Sequence, residues 1–110
     1  MKFFIAGVQY RPSAAEVLRK LSEGTPLTLE PEPTNNYDPN AVKIMYEEEH
    51  LGYVPRKFSS QVSGLLDSGL ELECRISTLN PNETTWNLCE VEISETGEDE
   101  RQESDDPADF

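Results

Sequence analysis

The stretch Glu30 to Pro55, EPEPTNNYDPNAVKIMYEEEHLGYVP, constrains this chain most. Pro33 to Asn40 holds turn formers and no apolar run. Pro33 and Pro39 fix φ, and Asp38, which precedes Pro39, is pushed to an extended conformation. Asn35, Asn36, Asp38 and Asn40 can each bond back to nearby backbone. The following AVKIMY alternates: Val42, Ile44 and Tyr46 point one way, Ala41, Lys43 and Met45 the other. Glu47 to His50 makes an acidic hairpin tip, and Leu51 to Val54 returns as a strand. Tyr37, Asp38 and Asn40 therefore sit at a strand mouth, where rigid scaffolds display binding groups. A well-capped surface turn is the plainer reading of the same residues.

The flanking segments supply more strands and two helices. Lys2 to Tyr10 reads as a first strand, apolar on both faces, and Arg11-Pro12 breaks it. Ser13, with Glu16 three residues on, reads as the capping box of a helix whose apolar face is Ala14, Val17, Leu18 and Leu21. Gly24 ends that helix. Thr25-Pro26 restarts the chain as a strand with Leu27 and Leu29 inward. Pro55 suits the first position of a second helix, with Phe58, Val62, Leu65 and Leu66 as its buried stripe and Gly69 after it. Leu70 to Thr78 and Trp86 to Ser94 read as a final hairpin, with Leu72, Cys74, Ile76, Cys89, Val91 and Ile93 on inner faces. About six short strands in so short a chain predict a mainly β, α+β architecture: a small, closed or nearly closed antiparallel barrel.

At 110 residues the chain is one domain with a modest core. The net charge of −13, from 22 acidic and 9 basic residues, is unevenly spread. The domain proper is expected over 1–94. The segment 95–110 carries eight acids against one arginine and is expected to be a disordered acidic tail. This balance argues against non-specific duplex binding, which needs phosphate neutralisation. Any nucleic-acid role must be local, such as capture of a strand end. The apolar run Phe3 to Val8 is too short for a signal or membrane segment. A cytoplasmic chain is expected, with Cys74 and Cys89 reduced and buried, although they fall nearly opposite each other on the final hairpin.

The pairing of YDPNAV with GYVP at this spacing resembles the core motif of the HIRAN domain family. Gly7-Val8-Gln9-Tyr10 and Leu27-Thr28-Leu29-Glu30-Pro31-Glu32-Pro33 fit the family's flanking pattern, so the likeness spans roughly Phe3 to Ser94. The resemblance implies an OB-like barrel and binding of single-stranded DNA with a free 3′-hydroxyl. It implies that Tyr37 and Tyr53 stack bases, Tyr10 lines the pocket, and Asp38 takes the terminal hydroxyl. Asn40 would brace the loop, and Arg56 or Lys57 would hold phosphates. At Gln9 the family often carries a basic residue, so phosphate affinity should be weaker here; Arg11 is the candidate substitute. Micromolar or weaker binding is expected, at best about −8 kcal/mol.

Physical chemistry gives these roles content. Aromatic stacking holds single strands at roughly 1–3 kcal/mol per base. A carboxylate repels a phosphodiester but accepts a hydrogen bond from a terminal hydroxyl, so Asp38 can discriminate against a continuing strand. Cations at the start of a helix oppose its dipole, and a bound phosphate would resolve that conflict for Arg56 and Lys57. Enzymatic readings are weak: His50 is alone, the two cysteines lack histidine partners, and no glycine-rich phosphate loop is present. No cofactor or metal is expected. Family modules accompany helicases or nucleases, so a monomer working through such a partner is expected, in DNA repair or replication. The rival reading is an acidic interaction module or nucleic-acid mimic that binds a basic protein.

Overall fold

The structure, a computed structural model, describes residues 1–83 and 87–95. Trp86, expected to open the last strand, and all of the expected acidic tail except Glu95 lie outside the described residues. Strands β1 (Lys2–Phe4), β2 (Pro26–Pro31), β3 (Val42–Tyr46), β4 (Glu49–Tyr53), β5 (Leu72–Leu79) and β6 (Cys89–Glu95) accompany helices α1 (Pro12–Arg19) and α2 (Arg56–Asp67). The strands form one sheet of order β1-β6-β5-β2-β3-β4, antiparallel throughout. The sheet curls until its two edges meet. Beyond β1, Ala6 forms a bridge with Tyr53 at the end of β4. This is the expected small OB-like barrel with two helices. Its core is built from Ile5, Val8, Leu18, Val42, Ile44, Leu51, Val62, Ile76, Leu88 and Val91, all essentially inaccessible.

Several local expectations need correction. The first strand does not reach Tyr10. Gly7 adopts φ 85°, in the region glycine tolerates, and turns the chain into a short 3-10 turn, Val8–Tyr10. Ser13 does not cap α1. Pro12 takes the first helical position and Arg11 becomes the cap, so the Ser13–Glu16 capping box never forms. The helix ends at Arg19, ahead of Gly24, whose own amide bonds Ile76 O at 2.7 Å. The β3–β4 tip is tighter than expected: Tyr46 pairs with Glu49, and Glu47 takes φ 55° in the turn. Ala41, assigned to the outer face, lies just before β3, where its amide bonds the Asp38 carbonyl at 3.0 Å, and it is buried beside Val42. Pro55 is the cap of α2 and Arg56 its first residue, one position later than expected.

Cys74 and Cys89 are not opposite each other. β5 and β6 pair Cys74 with Ile93 and Leu79 with Cys89. Both cysteines are free and buried, and burial pushes each thiol up to about 12. Local alternation set their faces correctly. The register, which depends on the whole ladder, separates them along the strands.

Candidate functional site

The barrel seam creates the site. Ala6 and Tyr53 exchange two backbone hydrogen bonds, each 2.9 Å long. Gly52 makes this approach possible: a Cβ there would lie 2.5 Å from the Ala6 oxygen and 2.6 Å from Ile5 Cγ2. Beside the bridge opens a cleft of about 260 Å³. Ala6, Ala41 and Val54 give it apolar surface, and Asn35, Tyr37, Asp38, Tyr53 and Arg56 complete the lining. Its size is just below that of pockets that engulf drug-sized ligands, roughly 300–1,000 Å³, and suits one small aromatic group.

Asn35 shapes the loop on one side. Its Oδ1 accepts from the Tyr37 amide (2.8 Å) and the Asp38 amide (3.0 Å). Its Nδ2 donates to Glu32 Oε1 at 2.9 Å. The ring of Tyr37 is thereby left in solvent, 84% exposed. An exposed ring over a part-apolar cleft is a platform on which a planar group can stack.

Asp38 joins the loop to α2. Its Oδ1 accepts from the Asn40 amide (2.9 Å), and its Oδ2 accepts from the Ser59 hydroxyl (2.7 Å). Ser59 is the one buried polar residue among those described, 2% exposed. Its hydroxyl bond, then the Asn40 amide and the nearby Arg56 charge, hold the Asp38 carboxyl below its ordinary value. Asp38 is thus both a turn cap and an ionised group facing the cleft. Each carboxylate oxygen has two lone pairs, so one accepted bond per oxygen leaves capacity for another donor.

A polar network backs the other wall. Tyr53 Oη donates to Glu32 Oε1 at 2.8 Å. The Asn35 and Tyr53 donors hold the Glu32 carboxyl low, while burial and the Glu32 carboxylate push the Tyr53 phenol up. Lys43 Nζ lies 3.4 Å from Glu30 and 4.0 Å from Glu32. The His50 ring meets Tyr53 edge-on, with centroids 4.9 Å apart. Arg11 reaches His50 Nδ1 at 2.8 Å. Arginine can only donate, so Nδ1 is the acceptor and Nε2–H donates to the Gly52 carbonyl at 3.1 Å. Desolvation, reinforced by the Arg11 charge, lowers the His50 pKa and keeps the ring neutral.

Of the residues singled out in the sequence, Tyr37, Asp38, Tyr53 and Arg56 are brought together in this cleft. Asn40 is not in the lining, but its backbone amide braces Asp38. Gln9, Tyr10 and Lys57 are not in its lining. Tyr10 projects from the 3-10 turn, 81% exposed, and Gln9 lines a separate depression with Pro12 and Glu16. Arg11 does not replace the missing charge at Gln9, because its guanidinium is turned onto His50. Sequence reasoning missed Glu32, His50 and Ser59 as parts of the site. Asn35 was legible as a turn residue, two positions before Tyr37. Nothing local marks Ser59, whose partner lies on another element. Among the described residues no group of His, Cys, Asp and Glu is arranged to hold a metal ion. No described helix is long and apolar enough to cross a membrane.

The family model of the HIRAN domain matches residues 1–95. This chain belongs to the HIRAN domain family. HIRAN domains are known in general as DNA-binding modules. Among solved structures, the chain is similar to the HIRAN domain of human HLTF, with a TM-score of 0.67 and 14% identity, covering 86% of this chain and 73% of that one. It is also similar to a protein from Lactobacillus plantarum, with a TM-score of 0.69 and 23% identity, covering 84% and 91%. At those identities the likeness establishes the fold. A curated relative, a Fanconi-associated nuclease 1 homolog of Oryza sativa subsp. japonica, is 40% identical over 52 residues, 44% of this chain. The match spans only 5% of that protein's length.

Proposed function

We propose that this HIRAN domain is a non-catalytic module that captures the 3′ end of single-stranded DNA in the seam cleft. The convergence of Tyr37, Asp38, Tyr53 and Arg56 around one small cavity carries this reading. The terminal base stacks on the exposed Tyr37 ring and contacts Tyr53. The Asp38 carboxylate accepts the terminal hydroxyl through a free lone pair, while Ser59 and Asn40 hold it in place. A strand that continued past this point would put a phosphodiester against an ionised carboxylate, which is unfavourable in a site this close. Arg56 supplies the cation for the preceding phosphate. Such a module hands strand ends to a helicase or nuclease in DNA repair or replication; the nuclease name of the rice relative is in keeping with that role.

The test is a fluorescence titration with a short single-stranded oligonucleotide, its 3′ end free or phosphorylated. Binding to the free end is expected, with marked loss on phosphorylation and again in Asp38→Ala. The overall charge of −13 favours a second reading, an acidic surface for a basic protein. Absence of binding to either oligonucleotide would support that reading and end the first.

A further inference from the structure

The first turn of α2 faces two hollows. Successive helical residues are about 100° apart around the axis. Arg56 therefore lines the seam cleft, while its neighbour Lys57 lines a second groove of about 400 Å³. Ala6 borders both hollows, so the two adjoin at the seam. Lys2 and Lys57 are exposed on the second groove. Its aromatic surface includes Phe58, whose ring stacks on Phe3 with centroids 5.5 Å apart and planes 22° from parallel. Lys57 Nζ stands 5.3 Å from the Phe58 ring centre.

We infer that this second groove continues the nucleic-acid track, holding the nucleotides that lie 5′ of the captured end. The inference rests on the function proposed above and extends it. A strand leaving the seam cleft past Arg56 crosses Ala6 and meets two ammonium groups beside a supported aromatic surface. Positive charge along a backbone path, joined to rings that bases can lie against, is how proteins hold single strands without reading sequence. The opposing charge in the groove is Glu90. Its Oε1 is drawn to the hydroxyls of Ser77 (2.9 Å) and Thr78 (3.2 Å). In a chain with a net charge of −13, two lysines placed along one groove act as a local exception. Lys57 thus serves a phosphate different from that of Arg56, although the two are adjacent in sequence.

The experiment uses the full chain and oligothymidylates of two, four and six nucleotides, each with a free 3′-hydroxyl. Affinity should rise about tenfold from two to four nucleotides, the scale of one stacked base, and level off thereafter. The salt slope should steepen by about 0.7 for each added phosphate contact. The double variant Lys2→Ala, Lys57→Ala should lose the length-dependent gain and keep the dinucleotide affinity. Equal affinity at all three lengths, or a full gain in the double variant, overturns the second groove. Failure of the dinucleotide to bind, or indifference to 3′ phosphorylation, strikes the seam-cleft reading instead.

Discussion

β5 and β6 are zipped together along their length, from Leu72 opposite Glu95 to Leu79 opposite Cys89. The barrel seam is held by one isolated bridge, Ala6 to Tyr53. The inner face of the β5–β6 ladder is apolar: Cys74, Ile76, Cys89, Val91 and Ile93 are buried. The seam is flanked by a polar network running from Arg11 through His50 and Tyr53 to Glu32 and Asn35. The contrast explains where the cleft is. A long ladder, interrupted only by a register shift between Ile76 and Thr78, packs its apolar inner face against the core. A seam closed at one point leaves space beside it, and the side chains that line the space must be fixed by hydrogen bonds.

Four changes test that division, in order of expected effect. Ile76→Ala attacks the ladder side, where the side chain is 2% exposed. A loss of about 2–5 kcal/mol in urea melts is expected, with oligonucleotide affinity of the remaining folded protein unchanged. Gly52→Ala attacks the seam. The new Cβ meets backbone at 2.5 Å, so about 1–3 kcal/mol is lost together with cleft binding. A Gly52→Ala protein that binds as tightly as the wild type would separate the seam from the site.

Ser59→Ala removes the hydroxyl that orients Asp38 and leaves the ladder untouched. Binding should weaken about twofold to tenfold, as one lost hydrogen bond implies, while the melting midpoint moves little. The mildest probe is pH. Burial and Arg11 lower the His50 pKa in the folded chain. The unfolded chain therefore binds the extra proton first, and stability falls as pH drops below about 6.5. Glu32 and Asp38, held low by their donors, add loss only below the ordinary carboxylate values of 4.5 and 3.8. His50→Gln should flatten the melting midpoint between pH 7 and pH 5 and leave the acid limb intact. An unchanged pH profile in that variant would remove His50 from the seam's energetics.

Much of this molecule was readable in advance. The run of Asn and Pro around Tyr37 and Asp38 gave a capped loop, and the alternation of Val42 and Ile44 gave a strand with the correct inner face. Both helices were visible from their apolar spacing. The errors cluster where a local signal met a competing one. Pro12 displaced Ser13 at the start of α1, and Gly7 turned a run that otherwise reads as continuous strand. The two cysteines are free and buried as expected, but the placement nearly opposite each other failed because face is a local property and register is not. Within the site, the loop residues were legible because they bond to their own neighbours. Glu32, His50 and Ser59 were not, because their partners come from other elements.

Proline and asparagine placement and hydrophobic period determined the loop and the elements, since each depends on neighbours in the chain, while the YDPNAV and GYVP motifs carried the likeness to the HIRAN family. Only the folded barrel decided that Gly52 would admit Ala6, that Arg56 and Lys57 would face different hollows, and that Arg11 would be spent on His50. Those outcomes hang on closure between segments far apart in sequence, where backbone reach and excluded volume, rather than any local preference, select the contact.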